Sequence, residues 1–316
     1  MTRFVCVTGA AGFIGREVTR QLLARGDYVY AVDRLDYAAG ELLPWASIDE
    51  RERTELRAVD VRTLGRLPDV DAVIHLAAST HVDNSLAEGE EFVANNVGTT
   101  AKLCELVRAK SQHGMPHFVH VSTDEVYGAV MQGRANEDAP LNPSSPYSAS
   151  KAAAEHIVRA WGLTYQMPFV ILRPTNAYGP GAYPEKLIPK AIRCLQLGRP
   201  IPVHGDGKQT RQWLSVTDLA SAILLALDKR LTGTYNIGGN TEATVQNVVT
   251  GVSRAFFGTP DDAINHTVIE RRERAGCDLR YAVDDAKLRA EGWAPVGDFW
   301  QDLPRLVEAE RTRWRW

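Results

Sequence analysis

Apolar residues in this chain of 316 residues fall into short continuous runs separated by longer stretches of helical character. Continuous apolar runs are typical of strands that are buried on both faces of a parallel sheet. Their alternation with helices predicts an α/β fold, a doubly wound parallel sheet of the Rossmann type. The predicted strands cover residues 4–8, 28–33, 56–60, 72–76, 117–122 and 168–172.

The pattern changes after about residue 174, where prolines interrupt the chain at short intervals as far as Pro202. Proline stops helices and central strands, so short elements are expected here. A strand and turn return at Tyr235–Gly239. We therefore predict a Rossmann domain over residues 1–174. Residues 175–316 are predicted to form mainly a smaller, C-terminal substrate-binding lobe, with some Rossmann strands and helices interleaved.

A glycine-rich turn follows the first predicted strand, in the order Gly9, Gly12, Gly15, with Phe13 and Ile14 opening a helix. Gly9 permits a tight turn, Gly12 lets the backbone approach a pyrophosphate, and Gly15 allows the helix to pack closely. The first amides of the helix point toward the phosphates. Because the motif lies between a strand and a helix, it predicts a dinucleotide-binding site.

The second predicted strand ends at Asp33, which lies 24 residues after Gly9. A carboxylate there accepts hydrogen bonds from the adenosine ribose and repels the extra phosphate of NADP, so NAD is the expected cofactor. Arg34 is an opposing signal, because an arginine can pair with that phosphate. Further contacts with the cofactor are expected from residues at the ends of two other strands, namely Asp60, Val61, Leu76, Ala77 and Ala78.

An acidic segment, Ser122–Glu125, ends the fifth predicted strand, and Tyr147 and Lys151 follow it along the chain. Tyr147 and Lys151 are one helical turn apart, so the ammonium group is expected to lower the pKa of the phenol. A phenolate could then take a proton from a hydroxyl group. Together with an acid and a base, this arrangement fits an elimination coupled to hydride transfer.

Composition excludes several other classes of protein. A net charge of −3 provides no attraction to nucleic acid. The four cysteines form no Cys-x-x-Cys pair, which argues against a zinc site and a disulfide scaffold and favours a reducing cytoplasm. The first predicted strand begins at residue 4, leaving no room for a signal peptide, and no apolar run approaches the ~20 residues of a membrane span. We expect a cytoplasmic protein with neither a metal nor a membrane partner.

Several segments of the chain resemble one family. From about residue 3 to about residue 300, the chain is similar to the extended short-chain dehydrogenase/reductases and, within them, to the dTDP-glucose 4,6-dehydratases among the nucleotide-sugar dehydratases and epimerases. The glycine motif and Tyr-x-x-x-Lys are shared by the whole superfamily. The adjacent pair Asp124 and Glu125 is specific to a much smaller group of proteins within it. The matching segments are VTGAAGFIG, HVDNSL, STDEVYG, SPYSASKA, YGPGAYPEKLIP, GDGKQTRQWL, YNIGG and RAGCDLRYAVD.

The resemblance implies an NAD-dependent lyase that converts a nucleoside-diphosphate hexose, dTDP- or UDP-glucose, to the 4-keto-6-deoxy sugar. Tyr147, assisted by Lys151, takes the proton of the 4-hydroxyl while NAD accepts hydride, and Thr123 bonds near the same oxygen. Glu125 then removes the hydrogen on carbon 5. Asp124, kept protonated, donates to the departing 6-hydroxyl, so the two carboxyl groups must hold different protonation states.

The resemblance also places substrate contacts in the later part of the chain. The expected positions are His81, Asn176, Glu185, Lys186, Leu187, His204, Arg211, Asn236, Arg274 and Tyr281. The chain departs from the family at Ser79-Thr80, at Asn84, at His204 where tyrosine is usual, and at Cys277 where histidine is usual. These departures leave the nucleotide base and the sugar open.

Two other hypotheses remain. A nucleotide-sugar 4-epimerase or decarboxylase on the same scaffold would need no acid at carbon 6, so Asp124 argues against it. A non-catalytic NAD-sensing protein is expected to lack Tyr147 or Lys151, and both are present.

The resemblance further suggests a homodimer formed by helices near 89–109 and 149–161, although their apolar residues could equally pack on their own sheet. These apolar residues are Val97, Leu103, Leu106, Ile157, Val158 and Trp161.

Overall fold

The computed structural model describes residues 2–40, 47–110, 114–273 and 278–313. Within these ranges the strands are β1 (Phe4–Thr8), β2 (Tyr28–Asp33), β3 (Thr54–Ala58), β4 (Ala72–His75), β5 (His117–Val121), β6 (Phe169–Pro174), β7 (Asn176–Tyr178), β8 (Ile201–His204), β9 (Thr210–Ser215), β10 (Gly233–Ile237), β11 (Thr241–Thr244) and β12 (Ile269–Arg272). The helices are α1 (Phe13–Ala24), α2 (Ile48–Glu52), α3 (Val82–Ala87), α4 (Gly89–Arg108), α5 (Pro146–Tyr165), α6 (Leu187–Gln196), α7 (Val216–Asp228), α8 (Val245–Phe257), α9 (Pro260–His266), α10 (Ala286–Ala290) and α11 (Phe299–Arg313).

A parallel sheet forms the centre of the molecule, and its seven strands in the described part of the chain have the order β10-β6-β5-β4-β1-β2-β3. Its strands have apolar residues on both faces. In β1, Val5 and Val7 belong to the core that contains α1 and α7, whereas Cys6 belongs to the core that contains α4 and α5. Side chains alternate between the two faces of a strand, so helices cover both sides of the sheet. The predicted doubly wound α/β fold is confirmed.

A second core lies in the C-terminal part of the chain. Strands β11, β9 and β7 form one small sheet and β12 pairs with β8, while α6, α8 and α11 pack around them. Ile192, Trp213, Val248 and Phe299 are buried together in this core. The chain also returns to the large sheet after residue 174, because β10 pairs with β6 and α7 packs against α1. Rossmann elements are therefore interleaved with the smaller lobe.

Strand order reverses between β1 and β4, since the chain runs from β1 outward to β3 on one side and then continues from β4 on the other. Ligands of open α/β sheets bind at such a reversal, at the carboxyl ends of the strands. The glycine turn follows β1 and the acidic segment follows β5, so both lie at this edge.

Helices α4 and α5 pack against each other over much of their length. Leu103, Leu106 and Val158 are buried in the core beside the sheet, so these three residues pack within their own chain. Val93 and Leu163 are exposed on the same two helices. No described helix is both long and apolar enough to cross a bilayer.

Candidate active site

A cleft of about 450 Å³ opens at the carboxyl ends of the central strands. Its lining includes the predicted acidic segment and residues of the smaller lobe. It also includes the predicted cofactor residues Gly9, Gly12, Phe13, Ile14, Gly15, Asp33, Asp60, Val61, Leu76, Ala77, Ala78 and Tyr147. Lys151 is buried behind this surface.

Steric contacts within the glycine turn explain why side chains are excluded there. Gly9 has a φ of +71°, and a Cβ on it would lie 2.8 Å from the amide nitrogen of Ala77. A Cβ on Gly15 would lie only 2.0 Å from the carbonyl oxygen of Gly9. The turn thus packs directly against the start of α1 and against the small residues after β4. Gly12 precedes α1 and has no side chain to cap it, which leaves the first helical amides for a phosphate.

Asp33 lies at the end of β2, where its carboxylate accepts hydrogen bonds from the amides of Ala11 (2.9 Å) and Leu35 (2.8 Å). A carboxylate has about four acceptor positions, so capacity for ribose hydroxyls remains. Arg34 forms an ion pair with Asp36 at 2.7 Å. This ion pair engages the guanidinium that would otherwise favour a 2′-phosphate. The glycine turn and Asp33 therefore fit NAD.

Residues Asp124–Tyr127, which we call the acidic turn, form a short 3₁₀-helix shortly after the end of β5. Thr123 begins it, accepting a hydrogen bond from the amide of Glu125 at 3.3 Å and donating one to Asp124 Oδ1 at 3.3 Å. Asp124 is only 3% exposed. Burial, reinforced by the charge of Glu125, raises the pKa of Asp124 to about 7. A carboxyl group that holds its proton near neutrality is suited to act as an acid.

Tyr147 and Lys151 lie in the first two turns of α5, which begins where Ser145 accepts a hydrogen bond from the amide of Ser148 and Pro146 occupies the first position. The expected depression of the phenol's pKa is not found. Burial and the charge of Glu125 raise the pKa of Tyr147. The ammonium group of Lys151 instead donates to the carbonyl of Val121 at 2.8 Å, and burial lowers its own pKa to about 8.

A polar network behind the cleft was missed by the sequence analysis. The side-chain oxygen of Asn96 accepts from the amide of Ser79 at 2.8 Å, and its amide group donates to the carbonyl of Ser79 and to the hydroxyl of Ser150. Asn96 thereby joins the loop after β4 to the helix that carries Tyr147 and Lys151. An asparagine within a helical stretch gives no sequence signal for such a contact.

Four of the predicted substrate residues, Asn176, Glu185, Lys186 and Leu187, line the cleft. The side-chain oxygen of Asn176 is buried and accepts no hydrogen bond from the described residues. Glu185 accepts a hydrogen bond from the hydroxyl of Tyr37 at 3.1 Å. Lys186 donates to the backbone and side-chain oxygens of Thr80. These contacts join the smaller lobe to loops of the Rossmann domain across the cleft.

Arg211 and Tyr281 stack on each other, with 4.3 Å between the guanidinium carbon and the ring centroid. The charge of Arg211 acts to lower the pKa of Asp124, in opposition to burial. Burial, followed by the charge of Glu125, raises the pKa of Tyr281. The stacked pair is therefore electrostatically coupled to the acidic segment.

The remaining predicted substrate residues have varied surroundings. Asp83 lies between His81 (3.9 Å) and His204 (3.8 Å), which brings these two histidines together.

Asn236, by contrast, is fully buried and outside the cleft lining, because parallel pairing places it beside Arg173 inside the sheet. Its side-chain oxygen accepts a hydrogen bond from the hydroxyl of Tyr127, and its amide group donates to the carbonyls of Ala135 and Asp284. The substrate contact expected of Asn236 stays a prediction. Arg274 and Cys277 lie outside the described residues.

Comparison with known proteins gives consistent matches over nearly the whole chain. The profile of the NAD dependent epimerase/dehydratase family matches residues 5–238. The dTDP-glucose 4,6-dehydratase of Neisseria meningitidis serogroup B is 40% identical over 329 residues, covering 97% of this chain and 92% of that protein.

Solved structures agree with this match. DesIV of Streptomyces venezuelae, a dTDP-glucose 4,6-dehydratase crystallised with NAD bound, superposes with a TM-score of 0.89 at 36% identity, covering 98% of this chain and 97% of that one. The UDP-glucose 4-epimerase of Thermus thermophilus, in complex with NAD, superposes with a TM-score of 0.84 at 30% identity, covering 98% and 99% of the two chains. The fold is thus shared by enzymes of two different activities.

Proposed function

This chain belongs to the NAD dependent epimerase/dehydratase family, and we propose that within it the protein is an NAD-dependent nucleoside-diphosphate-sugar 4,6-dehydratase. The reaction removes water across carbons 5 and 6 of a hexose such as dTDP- or UDP-glucose and leaves a 4-keto-6-deoxy sugar. The observation that carries the proposal is the buried carboxyl group of Asp124, whose pKa is raised to about 7, directly beside Glu125.

Oxidation at carbon 4 requires a group that takes the proton of the 4-hydroxyl. Tyr147 has that role in the proposal, because its ring is 7% exposed and lines the cleft beside Thr123. Burial disfavours the phenolate of Tyr147, so positive charge must offset it. Lys151, one turn further along α5, is charged below its pKa of about 8, and a bound nicotinamide ring would add a second positive charge. NAD would be held by the glycine turn and Asp33, and it would supply the reversible hydride acceptor that this reaction requires.

Elimination requires a base that acts at one carbon of the sugar and an acid that acts at the leaving group on the next carbon. The 4-ketone acidifies the hydrogen on carbon 5, and Glu125 removes that proton and returns it to carbon 5 when hydride is added to carbon 6. Hydroxide is a poor leaving group, so Asp124 donates its proton to the 6-hydroxyl, which departs as water. Burial favours the protonated form of Asp124, so the proton is available when the 6-hydroxyl departs. Two neighbouring carboxyl groups thus have different tasks because they have different surroundings.

A 4-epimerase on the same scaffold is the second candidate, and the similarity to the Thermus thermophilus enzyme favours it. An epimerase needs the tyrosine and the cofactor but has no use for a buried acid at carbon 6. Asp124 is therefore the residue that distinguishes the two activities.

The proposed homodimer involves the exposed faces of α4 and α5, where Val93 and Leu163 lie.

The purified protein should be incubated separately with dTDP-glucose, UDP-glucose, UDP-N-acetylglucosamine, GDP-mannose and CDP-glucose, and the masses of the products measured by mass spectrometry. We expect loss of one water from dTDP-glucose or UDP-glucose, without net release of NADH, because the hydride is returned in each cycle. An unchanged mass with inversion at carbon 4 would establish the epimerase instead. Stoichiometric NADH release would exclude both redox-neutral reactions.

A further inference from the structure

Arg173, on β6, is among the largest side chains that are almost completely buried in the molecule, being 1% exposed. Its guanidinium forms an ion pair with Glu155 of α5, donating through Nε at 3.0 Å and through Nη2 at 2.6 Å. Glu155 is fully buried and lies one helical turn after Lys151. A buried arginine is therefore anchored to the helix that carries Tyr147 and Lys151.

The same guanidinium also contacts the acidic turn. Its Nη1 donates to the hydroxyl oxygen of Tyr127 at 2.5 Å, and its carbon lies 4.7 Å from the centroid of the Tyr127 ring. Tyr127 is the last residue of the 3₁₀ turn that contains Asp124 and Glu125. One side chain thus contacts both elements that hold the proposed catalytic groups.

The hydroxyl of Tyr127 continues the chain of hydrogen bonds by donating to Asn236 at 2.8 Å. Asn236 in turn donates to the carbonyls of Ala135 and Asp284. Burial raises the pKa of Tyr127 to about 12, so the phenol keeps its proton at neutral pH. Arg173, Tyr127, Glu155 and Asn236, which we call the Arg173 network, form a continuous donor-to-acceptor series.

We propose that Tyr127 is a positioning residue whose hydroxyl, held between Arg173 and Asn236, fixes the Asp124–Glu125 pair relative to Tyr147 and Lys151. In its catalytic part this inference rests on the proposed dehydratase function. A phenylalanine at position 127 would keep the ring but leave one guanidinium N–H and one amide oxygen without their present partner. The acidic turn would then lose its hydrogen bonds to Arg173 and Asn236, whereas α5 would keep its ion pair with Arg173.

The matched variants are Tyr127→Phe and Tyr235→Phe. Tyr235 lies on β10, the strand that pairs with β6. It is also a buried tyrosine, 7% exposed, and its ring packs against Lys287. Each variant loses a single hydroxyl group, but only Tyr127→Phe removes hydrogen bonds of the Arg173 network.

Hydrogen exchange measured by mass spectrometry tests the positioning without reference to activity. In Tyr127→Phe we expect exchange to speed up on the order of tenfold at the amides of Glu125 and Gly128, with little change in the middle of α1. These two amides bond within the acidic turn, to Thr123 and to Glu125 respectively. Tyr235→Phe should leave them as in wild type. Unchanged exchange in Tyr127→Phe, or faster exchange over the whole chain, would overturn the proposal.

A single-turnover experiment tests the catalytic consequence. In Tyr127→Phe, oxidation at carbon 4 should proceed at nearly the wild-type rate while water loss slows by about 10- to 100-fold, so that reduced nicotinamide absorbance accumulates transiently. A purely structural defect would lower both steps together, and that result would contradict the positioning role. If wild type removed water from none of the nucleotide sugars, the proposed function would fail, and hydrogen exchange would still decide whether Tyr127 holds the turn.

Discussion

The glycine turn after β1 and the acidic turn after β5 lie at the same edge of the sheet, but different physical effects hold them. In the glycine turn the constraint is steric, because a Cβ on Gly15 would come within 2.0 Å of the backbone of Gly9. In the acidic turn the decisive property is electrostatic, since burial and Glu125 raise the pKa of Asp124. The first site depends mainly on the close packing of residues near one another in the chain, with one further contact to Ala77, whereas the second depends on surroundings assembled from distant parts of the chain.

The largest effect should follow from Asp124→Asn, which preserves shape but removes the transferable proton. Water loss should slow by roughly 10²–10⁴, the usual contribution of a general acid. A 6-fluoro analogue, whose fluoride departs with less need of an acid, should be much less affected. Both rates can be measured on wild type and variant. Equal slowing on both substrates would assign Asp124 to positioning or oxidation instead.

Gly15→Ala tests the steric side of the comparison. The added methyl group must displace either α1 or the Gly9 turn, so the purified variant should retain about a tenth or less of the wild-type NAD content. NAD released on denaturation can be measured against protein concentration. Gly65→Ala is the control, because a Cβ there meets no described atom within 4 Å. Normal NAD content in Gly15→Ala would mean that the turn tolerates a side chain.

Asp33→Ala should weaken NAD binding by roughly 10- to 100-fold, the range for loss of hydrogen bonds to a charged group. Part of the loss would come from the ribose, and part from the amides of Ala11 and Leu35 that the carboxylate now holds. Titration calorimetry on protein stripped of NAD would measure the change. Asp228→Ala removes a half-exposed carboxylate that pairs with Arg25 and should leave the affinity unchanged. An unaltered affinity in Asp33→Ala would move the adenosine site elsewhere.

The smallest effect is the dependence of rate on pH. The reactive form of Asp124 is protonated, and its share falls as the pH rises through its pKa of about 7. Water loss should therefore decline above that pH, approaching about tenfold per unit. Oxidation should instead hold until about pH 8, where Lys151 loses its charge. Single-turnover rates measured from below pH 7 to above pH 8 separate the two steps, and a shared profile would argue against distinct groups.

Much of the fold was predictable because the central strands have continuous apolar sequences. The predicted strand at 56–60 is displaced by two residues in the structure, where β3 is Thr54–Ala58. That strand lies at the edge of the sheet and its residues are mostly exposed, so its apolar pattern is weak. The strands of the smaller lobe, such as β7 and β8, are only three and four residues long. Runs so short give little periodicity to detect.

Sequence alone determined the glycine turn, the position of Asp33 and the adjacency of Asp124 and Glu125, because each depends on residues close together in the chain. The tertiary structure decided what those groups can do. It buried Tyr147 and raised its pKa where the spacing to Lys151 had suggested the opposite. It also placed Asn236 beside Arg173 within the sheet rather than in the cleft. Burial and strand pairing bring together residues that are far apart in the chain, and such neighbours leave no local pattern in the sequence.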